Sequence, residues 1–151
     1  GSLKIYDQET REAIKKLDSG MDSKRITEIW NRALDSEWNK PPVWIHGDIA
    51  VGNLLVNNGE LSAVIDFGQL GVGDPACDLV IEWTLFRDQS REVFKKAMSL
   101  DEQTWERAMA WALWKALIVY TALPGVNCNP IEIEKAKRVI NELLADDSKL
   151  K

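Results

Sequence analysis

The chain has 151 residues, of which 45% are hydrophobic and 28% are charged, a composition typical of one globular domain spanning residues 1–151. Its formal net charge of -5, without any run of Lys and Arg, argues against a nucleic-acid-binding protein. No apolar stretch is long enough to span a bilayer as a helix, so we also expect no membrane segment.

The first third of the chain predicts two helices. Asp7 can cap a helix that runs to about Leu17, where Ser19-Gly20 ends it. Apolar residues then recur at the spacing of one helical face, namely Ile26, Ile29, Trp30, Ala33 and Leu34. Pro41-Pro42 ends this helical region, and Val43-Trp44-Ile45 follows as a short apolar strand.

Residues 53–66 predict a β-hairpin, because Asn58-Gly59 is a strong two-residue hairpin turn. With that turn, Val56 pairs with Leu61, Leu54 with Ala63 and Asn53 with Val64. One face is then apolar and is expected to lie against the core; it carries Leu54, Val56, Leu61, Ala63 and Ile65. The other face makes Asn53 and Asp66 diagonal neighbours, close enough for both side chains to reach one metal ion.

The remainder of the chain predicts helices. Asp74-Pro75 is an N-cap followed by proline at the first helical position, and Leu79, Val80 and Trp83 lie on the inner face of that helix. Further helices are expected at about residues 90–99, 102–123 and 130–145, capped by Asp101 and Asn129-Pro130. The predicted fold class is therefore mainly α with one small β-hairpin.

The first residues bear on where the native protein begins, and the two cysteines bear on its redox compartment. Gly1-Ser2 lacks an initiator Met and resembles a cloning remnant, so we expect the native start of the protein to be missing. Cys77 and Cys128 are isolated and lack the spacing of a zinc site. Two buried, reduced thiols in a cytoplasmic protein are therefore expected.

The most informative stretch runs from Val43 to Asn53 and reads Val-Trp-Ile-His-Gly-Asp-Ile-Ala-Val-Gly-Asn; Ile65-Asp66-Phe67-Gly68 follows it. Asp48, Asn53 and Asp66 are the groups that phosphoryl transfer needs, namely a carboxylate at the acceptor hydroxyl and two oxygen ligands for Mg²⁺. Alternatives exist: Asp48 could cap local backbone, and Asn53 could be a loop-exit residue. Asp66 follows an apolar strand, where a carboxylate is costly to bury unless it is paired or binds a cation.

Three residues near this motif predict structural support for the site. His46, the single histidine, could act in acid–base catalysis, but a hydrogen bond to the backbone around Asp66 is the favoured interpretation. Gly47 predicts a tight or positive-φ backbone. Gly68 belongs to a glycine-containing connection that lacks the spacing of a phosphate-binding loop.

Two further carboxylates are candidates for the substrate pocket. Asp74 is most simply a helix N-cap, although its position near the site leaves room for substrate contact. Asp78, one turn into the same helix, could accept structural hydrogen bonds or line the acceptor pocket. The sequence leaves both alternatives open.

His46-Gly47-Asp48 with Asn53, Ile65-Asp66-Phe67-Gly68 and Gly73-Asp74-Pro75-Ala76-Cys77-Asp78 together closely resemble the aminoglycoside phosphotransferase family, part of a larger kinase-like group that includes choline and homoserine kinases. The resemblance implies that Asp48 is the catalytic residue, that Asn53 and Asp66 bind Mg²⁺, and that ATP or GTP is the phosphoryl donor. It also implies that the surrounding helices form the pocket of a small-molecule acceptor.

Comparison with related kinases refines this interpretation. Protein kinases carry Arg where this chain has Gly47, and their long activation segment has no room between Gly68 and Asp74, so a small-molecule acceptor is favoured over a protein. A complete kinase of this group begins with a β-rich nucleotide lobe, whereas the sequence before His46 is helical. The resemblance therefore implies a protein-kinase-like C-terminal lobe, without the N-terminal nucleotide lobe and its nucleotide-binding residues.

The sequence thus predicts Mg²⁺-dependent phosphoryl transfer from a nucleoside triphosphate to a hydroxyl of a small molecule, aminoglycoside-like by resemblance. As a lobe without its nucleotide-binding half, the chain is expected to have little or no activity alone. The alternative is a non-catalytic binding module that keeps a relic kinase site. Because the surface that a missing lobe would cover is partly apolar, self-association of this chain is also expected.

Overall fold

The structure is a computed structural model that describes residues 2–126 and 128–148; Gly1 of the expected cloning remnant lies outside them. The described residues form six α-helices and four short strands. The helices are α1 Asp7–Lys15, α2 Ser23–Leu34, α3 Ile81–Thr84, α4 Asp88–Met98, α5 Glu102–Tyr120 and α6 Pro130–Asp147. The strands are β1 Val43–Ile45, β2 Leu54–Asn57, β3 Glu60–Val64 and β4 Gly71–Gly73. The predicted dominance of helix over strand is confirmed.

Helix α5 is the centre of the core. It packs against α6, α2, α1 and the 3-10 helix Pro75–Val80. Its buried apolar side chains lie on several sides of the helix, as expected for a helix surrounded by others: Trp105, Ala108, Met109, Ala110, Trp111, Ala112, Leu113, Ala116 and Leu117. No described helix is both long and apolar enough to cross a membrane.

The predicted helix caps are mostly confirmed. Asp101 accepts a hydrogen bond from the Thr104 backbone N–H, and Asn129 accepts one from the Glu132 N–H, so α5 and α6 begin where the sequence indicated. Asp7 is not the cap of α1. It is the first helical residue, and its carboxylate accepts a hydrogen bond from Trp30 Nε1 at 2.7 Å, which joins α1 to α2.

The predicted helix after Asp74 is confirmed in position but differs in geometry. A 3-10 helix, Pro75–Val80, leads directly into α3. Three predicted inner residues, Leu79, Val80 and Trp83, are buried. Cys77 is also buried and Cys128 is only half-buried, and both thiols are free.

The four strands form two separate antiparallel pairs. β1 pairs with β4, which the sequence did not predict as a strand, and Trp44 lies opposite Val72. β2 and β3 form the predicted hairpin around Asn58-Gly59, where both residues have positive φ.

The predicted hairpin register is correct at the turn and wrong beyond it. Val56 pairs with Leu61 as expected, but Leu55 then pairs with Ala63 and Leu54 with Val64. The predicted pairs Leu54–Ala63 and Asn53–Val64 are therefore not formed. Ser62 is the extra residue of a β-bulge, and its hydroxyl donates to the Leu55 carbonyl at 3.1 Å.

The predicted core face of the hairpin is also wrong. Val56 and Leu61 are 66% and 61% exposed, and the hairpin packs mainly on itself. Trp44, on the other strand pair, is 76% exposed. We call the large apolar side chains that the strands and their connections leave in solvent the exposed strand residues; they are Val43, Trp44, Val51, Leu55, Val56, Leu61, Ile65, Phe67, Leu70 and Val72.

Candidate active site

The loop after β1 is anchored by Asp78. One carboxylate oxygen of Asp78 accepts a hydrogen bond from the His46 N–H at 2.7 Å, and the other accepts one from the Gly47 N–H at 2.8 Å. Of the two alternatives for Asp78, the structure therefore supports the structural hydrogen-bond acceptor. This contact ties the loop to the 3-10 helix Pro75–Val80, which packs on α5.

The buried His46 ring joins the loop to the end of β3. Its Nε2 lies 2.9 Å from the Ile65 carbonyl oxygen, and its Nδ1 accepts a hydrogen bond from the Asp48 N–H at 3.3 Å. Because Nδ1 is an acceptor, the ring proton lies on Nε2, which donates to Ile65. This is the backbone hydrogen bond next to Asp66 that the sequence predicted.

Gly47 has the positive φ that the sequence predicted, at +83°. A Cβ at this position would lie 2.4 Å from the backbone carbonyl oxygen of Gln69. The loop therefore passes too close to the connection after Asp66 for any residue with a side chain.

Asp48 lies at the open end of the loop with its side chain half exposed. Its Oδ1 forms an ion pair with Lys115 Nζ at 2.9 Å. Sequence reasoning missed Lys115 as a site residue, although a single Lys within the apolar run of α5 signals a carboxylate partner. The other oxygen of Asp48 makes no hydrogen bond within the described residues.

Asn53 connects the loop to the strand that ends before Asp66. Its Nδ2 donates to the Asp48 carbonyl at 2.9 Å, and its own carbonyl accepts from the Ile65 N–H at 3.0 Å. The bulge thus places Asn53 opposite Ile65 and one residue away from Asp66, so the diagonal pairing of Asn53 with Asp66 that the sequence predicted is not formed. Because the amide nitrogen is used in this way, Oδ1 is the side-chain atom of Asn53 that remains for a ligand.

Asp66 has a left-handed backbone conformation, with φ 63° and ψ 62°. Its side chain is exposed, and no cation of the described residues lies within ion-pair distance. A Cβ at Gly68 would lie 3.4 Å from an Asp66 carboxylate oxygen, so this glycine leaves space beside the carboxylate. A non-glycine residue in this region carries strain of a kind that is frequent at functional sites.

The side-chain oxygens of Asn53 and Asp66 suit a Mg²⁺ ion that is also bound by the phosphates of a substrate. Within the described ranges, no group of three His, Cys, Asp or Glu residues could hold a metal ion. The Asn53 amide oxygen and the Asp66 carboxylate are hard oxygen donors of the kind that Mg²⁺ prefers. Mg²⁺ is commonly held by one or two protein carboxylates together with substrate phosphates, so these two residues fit that mode.

Asp74 is held in a structural ion pair. Its Oδ1 accepts from the Ala76 N–H at 3.0 Å, which confirms the predicted N-cap, and its Oδ2 lies 2.6 Å from Arg107 Nε. Arg107 is only 4% exposed and also donates to Ser36 and to the Gln103 carbonyl. Sequence reasoning missed Arg107, since an Arg within a helix gives no signal of its distant partner.

A family model describing the phosphotransferase enzyme family (APH) matches residues 2–111, which include every site residue described above except Lys115. The chain belongs to this family. Among solved structures, a thermostable mutant of aminoglycoside phosphotransferase APH(4)-Ia in its apo form is similar, with a TM-score of 0.50 and 17% identity. The match covers 96% of this chain and 49% of the other, so this phosphotransferase-family chain spans about half the length of that protein. No curated protein matches.

Proposed function

We propose that this chain carries the catalytic residues of a Mg²⁺-dependent phosphotransferase that uses ATP or GTP and a small-molecule hydroxyl. The observation that carries the proposal is the junction of Asp48, Asn53 and the chain leading to Asp66. The side-chain amide of Asn53 donates a hydrogen bond to the Asp48 carbonyl, and its backbone carbonyl accepts one from the Ile65 N–H. Family membership supports phosphoryl transfer as the reaction.

Asp48 would orient the acceptor hydroxyl and take its proton. Lys115 donates to Oδ1 of Asp48, which leaves Oδ2 of Asp48 to accept a hydrogen bond from the acceptor hydroxyl. The ion pair also fixes the direction of the carboxylate. General-base assistance of this kind contributes typically ~10²–10⁴-fold to the rate.

Asn53 Oδ1 and the Asp66 carboxylate would hold the divalent cation with the nucleotide phosphates. When bound, Mg²⁺ neutralises charge on the transferring phosphoryl group. The hydrogen bond from Asn53 Nδ2 to the Asp48 carbonyl sets the distance between the proton acceptor and the cation ligands. This hydrogen bond therefore positions both the proton acceptor, Asp48, and a cation ligand, Asn53.

Binding of the nucleotide with its metal tests this proposal. Asp66→Asn removes the charge but suits the left-handed backbone, because Asn is tolerated there. Asp88→Asn is the matched control, since Asp88 is also an exposed Asp with positive φ. We expect calorimetry to show that ATP binding depends on Mg²⁺, and that this dependence is lost in Asp66→Asn and kept in Asp88→Asn. Equal behaviour of both variants would contradict the proposal.

Activity of the isolated chain is a separate question. We propose that the chain has little or no turnover alone, because it spans about half of the similar phosphotransferase and lacks recognisable nucleotide-lobe motifs. A turnover assay with ATP and GTP across a panel of aminoglycosides should give only background phosphate transfer. Robust turnover by this chain would refute the expectation of inactivity.

A second candidate function is that of a non-catalytic, self-associating module with a relic site. The exposed strand residues favour it, because apolar side chains in this number drive association when nothing covers them. Under this alternative the Mg²⁺ dependence of nucleotide binding is absent. The two functions therefore predict opposite results for wild-type protein.

A further inference from the structure

A cavity of about 700 Å³ lies next to the catalytic loop. One wall is Ala50-Val51-Gly52, the segment between Asp48 and Asn53. Lys115, which pairs with Asp48, also lines the cavity. The volume lies within the range of ~300–1,000 Å³ that holds small-molecule ligands.

The interior of this cavity is apolar. Its buried lining comes from helices α5 and α6 and from Val80; it comprises Val80, Ala112, Ala116, Ala136 and Val139. Two larger apolar side chains, Val51 and Leu85, remain partly in solvent at its walls. Such a surface is best covered by the apolar body of a ligand.

The charged groups of the lining are mostly cations. Lys115, Lys135 and Arg138 face one acidic residue, Glu132, and Glu132 already pairs with Lys135 at 2.8 Å. Arg138 pairs with Glu142, which does not line the cavity. Lys115 is likewise paired, with Asp48, so a polycationic ligand would find no unpaired carboxylate in the lining to offset its own charge.

We infer that this cavity receives the body of the acceptor, and that the acceptor is an apolar hydroxyl compound without a positive charge. The inference rests on the proposed function, because the ion pair between Lys115 and Asp48 is what links the cavity to the reacting hydroxyl. It differs from the aminoglycoside-like acceptor that family resemblance predicts, since aminoglycosides carry several ammonium groups.

The test compares two ligands with the same apolar body and opposite charge. Cholate carries hydroxyl groups and one carboxylate, and its N-(2-aminoethyl) amide replaces that carboxylate with an ammonium group. Calorimetry below the micellar concentration should show cholate binding about tenfold more tightly than the amide, a difference of ~1.4 kcal/mol. Kanamycin, a polycation, should bind no better than the amide.

Two pairs of variants place the binding in this cavity. Leu85→Gln should weaken cholate binding about tenfold by removing apolar contact, whereas Ile131→Gln, an exposed apolar residue outside the lining, should not change it. Lys135→Gln should weaken cholate binding about 2–5-fold and leave the amide unaffected or tighter. Lys137→Gln, also exposed on α6 but outside the cavity lining, is its control.

Several results would overturn the inference. They are tighter binding of the amide or of kanamycin, no detectable binding of cholate, or equal effects of Leu85→Gln and Ile131→Gln. The Asp66→Asn variant separates this inference from the proposed function, because it should lose Mg²⁺-dependent nucleotide binding and still bind cholate. If cholate binds as expected while nucleotide binding never depends on Mg²⁺, the proposed function fails and the cavity is not an acceptor site.

Discussion

Gly47 shows how one residue fixes the geometry of the candidate active site. Its φ of +83° and the 2.4 Å approach of a hypothetical Cβ to the Gln69 carbonyl are two separate reasons for glycine. The loop that carries Asp48 can lie against the connection after Asp66 only because glycine adopts this φ without strain and has no Cβ to clash with Gln69. The sequence predicted the backbone conformation, but the close approach depends on tertiary placement.

The two reasons can be separated by substitution. Gly59 has a φ of +84° and nothing within 4 Å of its hypothetical Cβ, so Gly59→Ala measures the conformational cost alone, roughly 1–2 kcal/mol. Gly47→Ala adds a steric clash and should cost about 1–3 kcal/mol more. Urea unfolding of both variants gives the comparison, and equal losses would show that the loop relaxes freely.

The buried carboxyl of Glu82 should make the free energy of unfolding depend on pH. It is 2% exposed, its Oε2 has no hydrogen-bond partner among the residues described, and burial raises its pKa to about 7. The folded protein therefore holds this proton more tightly than the unfolded chain does. As pH rises from 4.5 to about 7, the folded state loses stability, by roughly 3 kcal/mol for a pKa difference of this size.

Substitution of Glu82 tests that assignment. Glu82→Gln removes the titrating group, so unfolding free energy measured by urea should fall less between pH 5 and ~8 than it does in wild type. Glu92→Gln, which changes an exposed acid on α4 that lines a surface pocket together with Glu82, should keep the wild-type dependence. A Glu82→Gln profile parallel to that of wild type would rule out Glu82 as the cause.

The ion pair between Asp74 and Arg107 determines how two elements meet. It joins the start of the 3-10 helix Pro75–Val80 to α5, and Arg107 is almost fully buried. Since Asp78 in that 3-10 helix holds the catalytic loop, the pair acts on the active site through the helix. Loss of the pair should therefore loosen the loop as well as the core.

Asp74→Asn tests this element contact, because Asn still caps a helix but leaves a buried guanidinium without its countercharge. We expect a loss of about 2–4 kcal/mol in unfolding free energy. Asp101→Asn is the control; Asp101 also caps a helix and pairs with a cation, but Lys40 is exposed, so the loss should stay below about 1 kcal/mol. Equal losses would contradict the structural role of Arg107.

Elements with local signals could be predicted from the sequence, and elements set by distant contacts could not. Asn129-Pro130 and Asp101 marked the starts of α6 and α5 because caps act within one turn. The bulge at Ser62 and the strand β4 depend on partners elsewhere in the chain, so no local pattern revealed them. Asp48 was found from its motif, whereas the single Lys in the apolar run of α5 indicated only that Lys115 needs a carboxylate, and the fold shows that this carboxylate is Asp48.

The exposed strand residues are a property of the whole molecule. Alternation in the hairpin predicted one apolar face, but the bulge moves Ala63 away from the face of Val56 and Leu61, and both of these side chains remain exposed. Apolar alternation shows which side chains need cover, and it cannot show whether the cover lies within the same chain.

We predict that this surface drives self-association of the isolated chain. Light scattering at rising concentration should show a mass above that of the 17.1 kDa monomer. The double variant Trp44→Ser with Leu61→Ser should shift the protein toward monomer, whereas Ile131→Ser, which removes an equally exposed apolar residue on α6, should not. A clean wild-type monomer at high concentration would contradict the prediction.

The central claim is that Asn53 and Asp66 hold one divalent cation beside Asp48, and Mn²⁺ tests it most directly. Mn²⁺ replaces Mg²⁺ at oxygen sites and broadens NMR signals of nearby backbone amides. With ATP present, the account predicts that amides of residues 48–53 and 65–68 broaden first, and that Asp66→Asn abolishes this pattern. Broadening centred elsewhere and unchanged by Asp66→Asn would contradict the account.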